Sequence, residues 1–144
     1  MGKEGDKINM KTKTVLVTGS EGFIGKNLIT RLQELDNIVI KAFDKEDDID
    51  TFKKYLGEAD IVFHFAGVNR PKKVEEFERV NVGLTTTLVE LLEKMGNKIP
   101  IVITSSIQAE LDNPYGKSKK IAEEELVKYA KRNIIKNRLY SSWT

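Results

Sequence analysis

The segment Thr14-Val-Leu-Val-Thr18, continued by Gly19-Ser-Glu-Gly-Phe-Ile-Gly25, carries the most structural information in this chain. Its first half is a short run of apolar and β-branched residues, which is typical of a buried strand. Its second half has a glycine at every third position and leads into residues 23–35, where apolar residues recur at helical spacing. The sequence therefore predicts a strand, a tight turn and a helix in direct succession.

The spacing G-x-x-G-x-x-G at Gly19, Gly22 and Gly25 suits a turn that binds a phosphate. A backbone that approaches a pyrophosphate closely has no room for Cβ atoms. The free N–H groups and the dipole of a helix start then attract the anion. Because a strand precedes the turn and a helix follows it, we predict that these glycines, with Phe23 and Ile24, bind a dinucleotide cofactor. An ordinary turn with glycines placed for packing is the alternative.

The rest of the chain repeats this alternation. Strands are predicted at residues 38–43, 60–66 and 100–105, with Ser106 at the end of the last one, and helices at 52–56, 74–95 and 115–131. Residues 45–50 are predicted to form a surface loop or a degenerate strand. Such βαβ units with right-handed crossovers give an α/β Rossmann fold, a doubly wound parallel sheet with helices on both faces. We expect residues 1–13 to form a flexible polar N-terminus and residues 14–144 to form one domain.

Composition excludes several classes of function. The chain has 144 residues, with 24 Lys and Arg against 22 Asp and Glu, so nothing favours nucleic acid or a membrane surface as a partner. It has no cysteine and one histidine, which leaves no disulfide and no metal site of thiolates or several histidines. No apolar run approaches the roughly 20 residues of a membrane helix, and no signal peptide is evident, so we expect a cytoplasmic protein.

Asp44 ends the second predicted strand, about 20 residues after Gly25, where an acidic residue binds the adenosine ribose hydroxyls of a dinucleotide. A carboxylate there repels a 2′-phosphate, so Asp44 favours NAD over NADP. Two alternatives remain open at this stage. Asp44 could be a solvated loop carboxylate, and Lys41 or Lys45 could bind a 2′-phosphate.

Tyr115 and Lys119 stand four residues apart, so they share one face of a helix. A neighbouring ammonium lowers the pKa of a tyrosine from about 10, which suits proton transfer to or from a carbonyl during hydride transfer. Ser106 ends the preceding strand at the edge where such sheets bind ligands, and could donate a hydrogen bond to a substrate oxygen. The alternatives are a surface tyrosine beside a basic helix and a serine that satisfies strand-end backbone groups.

Taken in order, these motifs resemble those of the extended short-chain dehydrogenases/reductases, a family of NAD(P)-dependent nucleotide-sugar epimerases, dehydratases and reductases. The motifs are the glycine turn, Asp60-x-x-x-His64-x-Ala66-Gly67, Ser105-Ser106 and Tyr115-x-x-x-Lys119. Within the family, segments 64–71, 105–109 and 112–119 look like bacterial capsular polysaccharide reductases of the CapF type. Those oxidoreductases reduce a UDP-linked 4-keto-6-deoxy-N-acetylhexosamine. The resemblance covers residues 14–131.

The resemblance implies three catalytic residues. Tyr115 is then the general acid/base, Lys119 binds the nicotinamide ribose and tunes the tyrosine, and Ser106 binds the substrate oxygen. It also implies that a strand-end backbone lies along the cofactor, at Ala66, Gly67 and Val68.

Two further positions are implied to be structural. Asp60 resembles the structural aspartate at the start of its strand, and we expect His64 to pack between the sheet and a helix.

Family members continue after residue 131 with a further strand and a substrate-binding segment. Residues 134–144 begin like that strand and then end, so we expect the substrate-binding lobe to be missing. Two functions follow as expectations. One is hydride transfer at C4 of a UDP-keto-deoxysugar, with NAD or NADP; the capsular subgroup is associated with NADPH, which conflicts with Asp44. The other is a dinucleotide-binding module with little turnover, or a homodimer paired through helices 74–95 and 115–131.

Overall fold

A computed structural model of the chain describes residues 12–44, 46–66, 83–96, 98–106, 114–133 and 138–142. Among these residues strands and helices alternate. The strands are β1 (Lys13–Thr18), β2 (Ile38–Phe43), β3 (Ile61–His64), β4 (Ile101–Ser106) and β5 (Arg138–Ser142). The helices are α1 (Phe23–Leu32), α2 (Ile49–Glu58), α3 (Leu84–Met95) and α4 (Pro114–Asn133).

The strands form one parallel sheet in the order β2-β1-β3-β4-β5. From β1 the chain passes to β2 on one side and then crosses to β3 on the other side of β1. The direction of winding therefore reverses between β1 and β3, and sheets of this kind bind ligands at that switch point, outside the carboxyl ends of the strands. Thr18 of β1 is in register with Phe43 and His64, so these three strands end level. The predicted Rossmann-type α/β sheet is confirmed.

Both faces of the central strand are covered. Leu16 lies in one apolar core with side chains of β3, β4, α2, α3 and α4. Val15 and Val17 alternate to the opposite face and are also buried, and α1 packs against β1 and β2. Burial on both faces explains why β1 is a continuous apolar run. This agrees with the predicted placement of helices on both faces.

Helix α1 ends three residues earlier than the apolar spacing predicts. It stops at Leu32 and is followed by a turn in which Asn37 has a left-handed φ of 63°. Asparagine tolerates this conformation better than other residues with a side chain. Leu35, predicted on the apolar face of the helix, lies in that turn and is 57% exposed. The prediction for Leu35 was therefore wrong, because turn geometry overrides helical periodicity there.

Helix α2 is twice the length predicted and begins directly after Asp48. The Asp48 carboxylate accepts a hydrogen bond from the Thr51 N–H at 2.8 Å, which caps the helix. That hydrogen bond also lowers the pKa of Asp48 below its ordinary value. Residues 46–48 form a turn and Ile49 and Asp50 begin α2, so neither a surface loop nor a degenerate strand describes residues 45–50 as a whole. Phe52 and Leu56 are fully buried in the core.

The remaining elements lie close to their predicted bounds. Strand β3 is shorter than residues 60–66, while β4 and α4 match to within two residues at each end. Helix α3 ends at Met95 with Gly96 in the left-handed conformation, as its sequence predicts. The predicted start of that helix, at residue 74, lies outside the described residues, as do residues 134–137 of the last predicted strand. In the described part of the chain, no helix is both long and apolar enough to cross a bilayer.

Candidate functional site

The turn after β1 lies directly on the backbone that leaves β3. Gly19 has a left-handed φ of +68°, and a Cβ atom built on it would lie 2.7 Å from backbone atoms of Phe65 and Ala66. Real Cβ atoms do not approach backbone so closely. Glycine is therefore required at position 19 both for conformation and for space.

The other two glycines allow the turn to fold against its own helix. A Cβ atom on Gly25 would overlap the Gly19 carbonyl and lie 3.0 Å from Cα of Ser20. Gly22 is the N-cap residue of α1, and its N–H donates to the Gly19 carbonyl at 3.0 Å. A Cβ atom there would lie 3.2 Å from the Gly19 carbonyl oxygen, which is tight but less severe. The three predicted glycines thus form one compact cradle without side chains.

The start of α1 opens from this cradle. Phe23 is 82% exposed and Ile24 38% exposed, although both are large and apolar. The first turn of α1 contains no acidic residue that would oppose an anion. A backbone cradle without Cβ atoms, at the positive end of a helix and at the switch point of the sheet, fits the pyrophosphate of a dinucleotide.

Asp44 sits beside the glycine turn, at the carboxyl end of β2. Its Oδ2 atom accepts a hydrogen bond from the Glu21 N–H at 2.7 Å, and the Ser20 N–H donates to the Phe43 carbonyl at 3.2 Å. The Asp44 N–H donates to Asp47 Oδ2 at 2.9 Å. The predicted ribose-binding carboxylate is thereby fixed next to the predicted phosphate-binding turn.

Lys41, the alternative ligand for a 2′-phosphate, is engaged elsewhere. Its Nζ lies 3.2 Å from Glu58 Oε2, and it also lies 5.6 Å from the centre of the Tyr55 ring. Glu58 ends α2, which runs back toward the amino edge of the sheet, so Lys41 is turned away from Asp44. Lys45 lies outside the described residues.

A buried chain of hydrogen-bonding groups runs behind the glycine turn. His64 Nδ1 lies 2.8 Å from Thr18 Oγ1, and His64 Nε2 lies 2.8 Å from Thr85 Oγ1. The Thr18 oxygen also accepts the Ala66 N–H at 3.2 Å. His64 therefore packs between sheet and helix, as expected. The sequence analysis did not predict that Thr18 and Thr85 would pair with His64. The one indication in the sequence is that each is a hydroxyl residue at a position where the pattern predicts an apolar residue.

The structure places the predicted catalytic residues in two elements, β4 and α4. Ser106 is the last residue of β4. Ile103 of β4 is in register with His64 of β3, so β4 lies two strands away from β1 and the glycine turn that follows β1. Tyr115 and Lys119 lie one turn apart in the N-terminal part of α4. Gly67 and Val68 lie outside the described residues.

The described residues thus bring together the glycine turn, Asp44 and Ala66. No group of three or more histidine, aspartate or glutamate residues that could hold a metal ion occurs among them.

Comparison with known proteins identifies the class. The model of the NAD dependent epimerase/dehydratase family matches residues 15–137. The chain therefore belongs to this family of enzymes, which the order of its motifs predicted.

Particular relatives narrow the resemblance. The chain is 47% identical over 112 residues to UDP-2-acetamido-2,6-beta-L-arabino-hexul-4-ose reductase of Pseudomonas aeruginosa, a match that covers 78% of this chain and 30% of that protein. It superposes on the capsular polysaccharide assembling protein CapF from Staphylococcus aureus with a TM-score of 0.75 and 35% identity, covering 88% of this chain and 34% of that one. The predicted resemblance to capsular reductases is confirmed, and the chain spans about a third of the length of these two relatives.

A further solved structure is that of MoeE5 in complex with UDP-glucose and NAD. Its TM-score is 0.71 at 25% identity, over 89% of this chain and 52% of that one.

Proposed function

We propose that this chain binds a nicotinamide dinucleotide across the carboxyl ends of β2, β1 and β3, for hydride transfer at C4 of a UDP-linked keto-deoxysugar. The observation that carries the proposal is the glycine cradle, in which Gly19 and Gly25 leave no room for a Cβ atom. The relationship to a UDP-hexulose reductase supports a nucleotide sugar as substrate, and the likeness to CapF supports a role in capsular or surface polysaccharide synthesis.

The cofactor would lie along one continuous backbone surface. The glycine cradle and the start of α1, with Phe23 and Ile24, hold the pyrophosphate. Asp44 binds the adenosine ribose hydroxyls, and its negative charge favours NAD over NADP. Ala66, with Gly67 and Val68 next to it in the sequence, is proposed to contact the nicotinamide half. The engagement of Lys41 with Glu58 supports the preference for NAD, because it removes one candidate cation for a 2′-phosphate.

The chemistry at the sugar needs a hydride at carbon and a proton at oxygen. A bound nicotinamide supplies or accepts the hydride. Tyr115 donates the proton to the C4 oxygen during reduction, and Lys119 stabilises the phenolate that remains. Ser106 donates a hydrogen bond to the same oxygen and holds the carbonyl in place. In the direction of oxidation the same groups act in reverse.

A dinucleotide-binding or dimerisation unit with little turnover is the second candidate. The close approach of Gly19 to residues 65–66 and the bond from the Glu21 N–H to Asp44 support cofactor binding, which this candidate shares with the first. Measuring binding and turnover separately distinguishes the two candidates.

Calorimetric titration of the purified chain with NADH and NADPH tests the binding. We expect binding with a preference for NADH, and we expect Gly22→Asp to abolish it by placing a carboxylate against the pyrophosphate. Gly57→Ala is the matched control, because a Cβ atom at this position in α2 meets nothing within 4 Å. A folded chain that binds neither cofactor would refute the proposal.

Turnover is tested with a UDP-linked 4-keto-6-deoxy-N-acetylhexosamine, by following the oxidation of the reduced cofactor. We expect Tyr115→Phe to lower kcat by about 10²-fold to 10⁴-fold, because the phenol transfers the proton, and to change cofactor binding far less, although Tyr115 is also predicted to contact the cofactor. Binding without any turnover by the unmodified chain would favour the second candidate.

A further inference from the structure

The single histidine of the chain joins three elements at the switch point of the sheet. Thr18 is the last residue of β1, His64 is the last residue of β3, and Thr85 lies in the first turn of α3. His64 is 5% exposed, Thr18 0% and Thr85 1%. Buried polar groups are costly unless they are hydrogen-bonded, and both ring nitrogens have a hydroxyl at 2.8 Å.

One bond at Thr18 has a fixed direction, since the Ala66 N–H donates to Thr18 Oγ1 at 3.2 Å. The Thr18 hydroxyl keeps one hydrogen of its own. If that hydrogen is donated to His64 Nδ1, a neutral imidazole carries its hydrogen at Nε2, which then donates to Thr85 Oγ1. The tautomer of His64 thus decides the order of donation, and we expect the order Ala66 N–H to Thr18, Thr18 to His64, and His64 to Thr85.

These hydrogen-bonded groups, the Ala66 N–H, Thr18, His64 and Thr85, are called the relay below. The relay lies beside the proposed dinucleotide crevice, which is formed by the glycine turn, Asp44 and Ala66. Gly19 follows Thr18 directly and lies on the backbone of Phe65 and Ala66. The relay fixes both sides of that contact, through the Thr18 side chain on one side and the Ala66 N–H on the other. The backbone bond from the Phe65 N–H to the Thr18 carbonyl, at 3.2 Å, runs beside it. Through Thr85 the same contact is coupled to α3.

We propose that His64 is a positioning residue that holds the glycine turn against the strand end at Phe65 and Ala66 through Thr18 and Thr85, and so sets the width of the dinucleotide crevice. This inference rests on the proposed function, because the crevice is taken to bind a dinucleotide. We expect His64 itself to touch neither cofactor nor substrate. Its effect on binding is exerted through the backbone that it holds.

Removal of one hydroxyl from the relay tests the inference. Thr85→Val keeps the shape of the side chain and takes away the acceptor of His64 Nε2. We expect the affinity for NADH to fall about tenfold, which corresponds to about 1.4 kcal/mol, at a temperature where circular dichroism shows both proteins folded. Thr85→Ser keeps a hydroxyl at the same place, and we expect it to restore most of the affinity.

Thr87→Val is the matched control in the same helix. The Thr87 hydroxyl donates to the Gly83 carbonyl at 2.9 Å, within its own helix, so this variant changes a threonine of α3 outside the relay. We expect its affinity for NADH to equal that of the unmodified chain. A Thr85→Val protein that melts at a lower temperature but binds NADH unchanged would overturn the inference, because the relay would then serve stability alone.

The imidazole ¹⁵N spectrum gives a readout that does not depend on cofactor binding. Because the chain has one histidine, both ring resonances belong to His64. We expect one protonated nitrogen, Nε2, and one unprotonated nitrogen, Nδ1, with Thr85→Val shifting the Nε2 resonance and Thr87→Val leaving it unchanged. A hydrogen on Nδ1 would overturn the direction of the relay.

The outcomes separate the inference from the proposed function. Failure of the unmodified chain to bind either NADH or NADPH refutes the proposed function and, with it, the role in setting the crevice. Normal binding by the unmodified chain together with normal binding by Thr85→Val refutes the positioning role alone.

Discussion

The carboxyl and amino edges of the sheet each use an aspartate to accept a backbone N–H. At the carboxyl edge Asp44 accepts from Glu21 at 2.7 Å, and at the amino edge Asp60 accepts from Thr14 at 2.8 Å. Asp60 also donates its own N–H to the Thr14 carbonyl at 2.8 Å, so it closes the gap between two strands. Asp44 instead borders the turn with three glycines and a helix start with exposed apolar residues. The bond is the same at both edges, and the surroundings of Asp44 support its proposed role in binding a ligand.

One glycine at each edge has the same backbone conformation but different surroundings. Gly19 and Gly96 both have left-handed φ values, +68° and +72°. A Cβ atom on Gly19 would meet backbone atoms at 2.7 Å, whereas one on Gly96 would meet nothing within 4 Å. Conformational need alone therefore explains Gly96, while Gly19 also satisfies a close approach of two backbones. Substitution of these two glycines is therefore expected to give the largest difference in NADH affinity between the two edges.

Gly19→Ala and Gly96→Ala should share the cost of a left-handed alanine, about 1–2 kcal/mol. We expect Gly19→Ala also to displace the turn from residues 65–66 and to lower the affinity for NADH by more than about 100-fold, equivalent to about 2.7 kcal/mol. Gly96→Ala should lower the free energy of unfolding and leave the affinity unchanged. Calorimetric titration measures the affinity of both variants for NADH, and urea denaturation measures their free energies of unfolding. Equal losses of affinity would remove the distinction between the edges.

Asp44→Asn tests the charge at the carboxyl edge while an acceptor for the Glu21 N–H remains. We expect the ratio of NADH to NADPH affinity to fall about tenfold, because a neutral amide no longer repels a 2′-phosphate. Asp47→Asn, which alters a neighbouring carboxylate of the same loop, should change the ratio less. An unchanged ratio in Asp44→Asn would favour the interpretation of Asp44 as a solvated loop carboxylate.

Asp60→Ala tests the amino edge. The Thr14 N–H loses its charged acceptor near solvent, and we expect the free energy of unfolding to fall by about 1 kcal/mol. The affinity for NADH should stay within experimental error, since the lost bond lies at the opposite edge from the crevice. Urea denaturation and calorimetry measure the two quantities, and a loss of affinity comparable to that in Asp44→Asn would contradict the separation.

The sequence predicts features that depend on neighbouring residues better than contacts between distant residues, for a physical reason. The glycine turn and Asp44 follow from local backbone requirements and from a spacing along the chain. The end of α1 was misplaced because Leu35 fits the helical period, although the turn at Asn37 decides where the helix stops. The partners of His64 are 46 and 21 residues away, so their meeting depends on strand register and helix packing, which no local pattern encodes.

Substitution of Tyr129 is expected to have the smallest effect, a change in the pH dependence of stability. Tyr129 lies toward the amino edge, where α3 and α4 end side by side. It is fully buried in the core, and Arg132 pairs with Glu93 nearby at 2.5 Å. Burial raises the pKa of Tyr129 above its ordinary value of 10.0, and the charge of Glu93 raises it further. The folded chain therefore keeps the phenol proton at a pH where the unfolded chain has lost it. This contribution to stability is complete below the unfolded pKa and disappears as the pH rises through the folded pKa.

Urea denaturation between pH 9 and pH 11, about one pH unit on either side of the ordinary tyrosine pKa, measures the effect of Tyr129. Above pH 10 we expect the unmodified chain to lose stability with a slope of at most about 1.4 kcal/mol per pH unit from this group. Tyr129→Phe should lack that part of the slope, so the stability difference between the two proteins shrinks as the pH rises. Parallel curves would mean that Tyr129 titrates alike in both states. Affinity for NADH at neutral pH should be the same in both proteins, because Tyr129 is buried in the core and is not among the residues proposed to bind the cofactor.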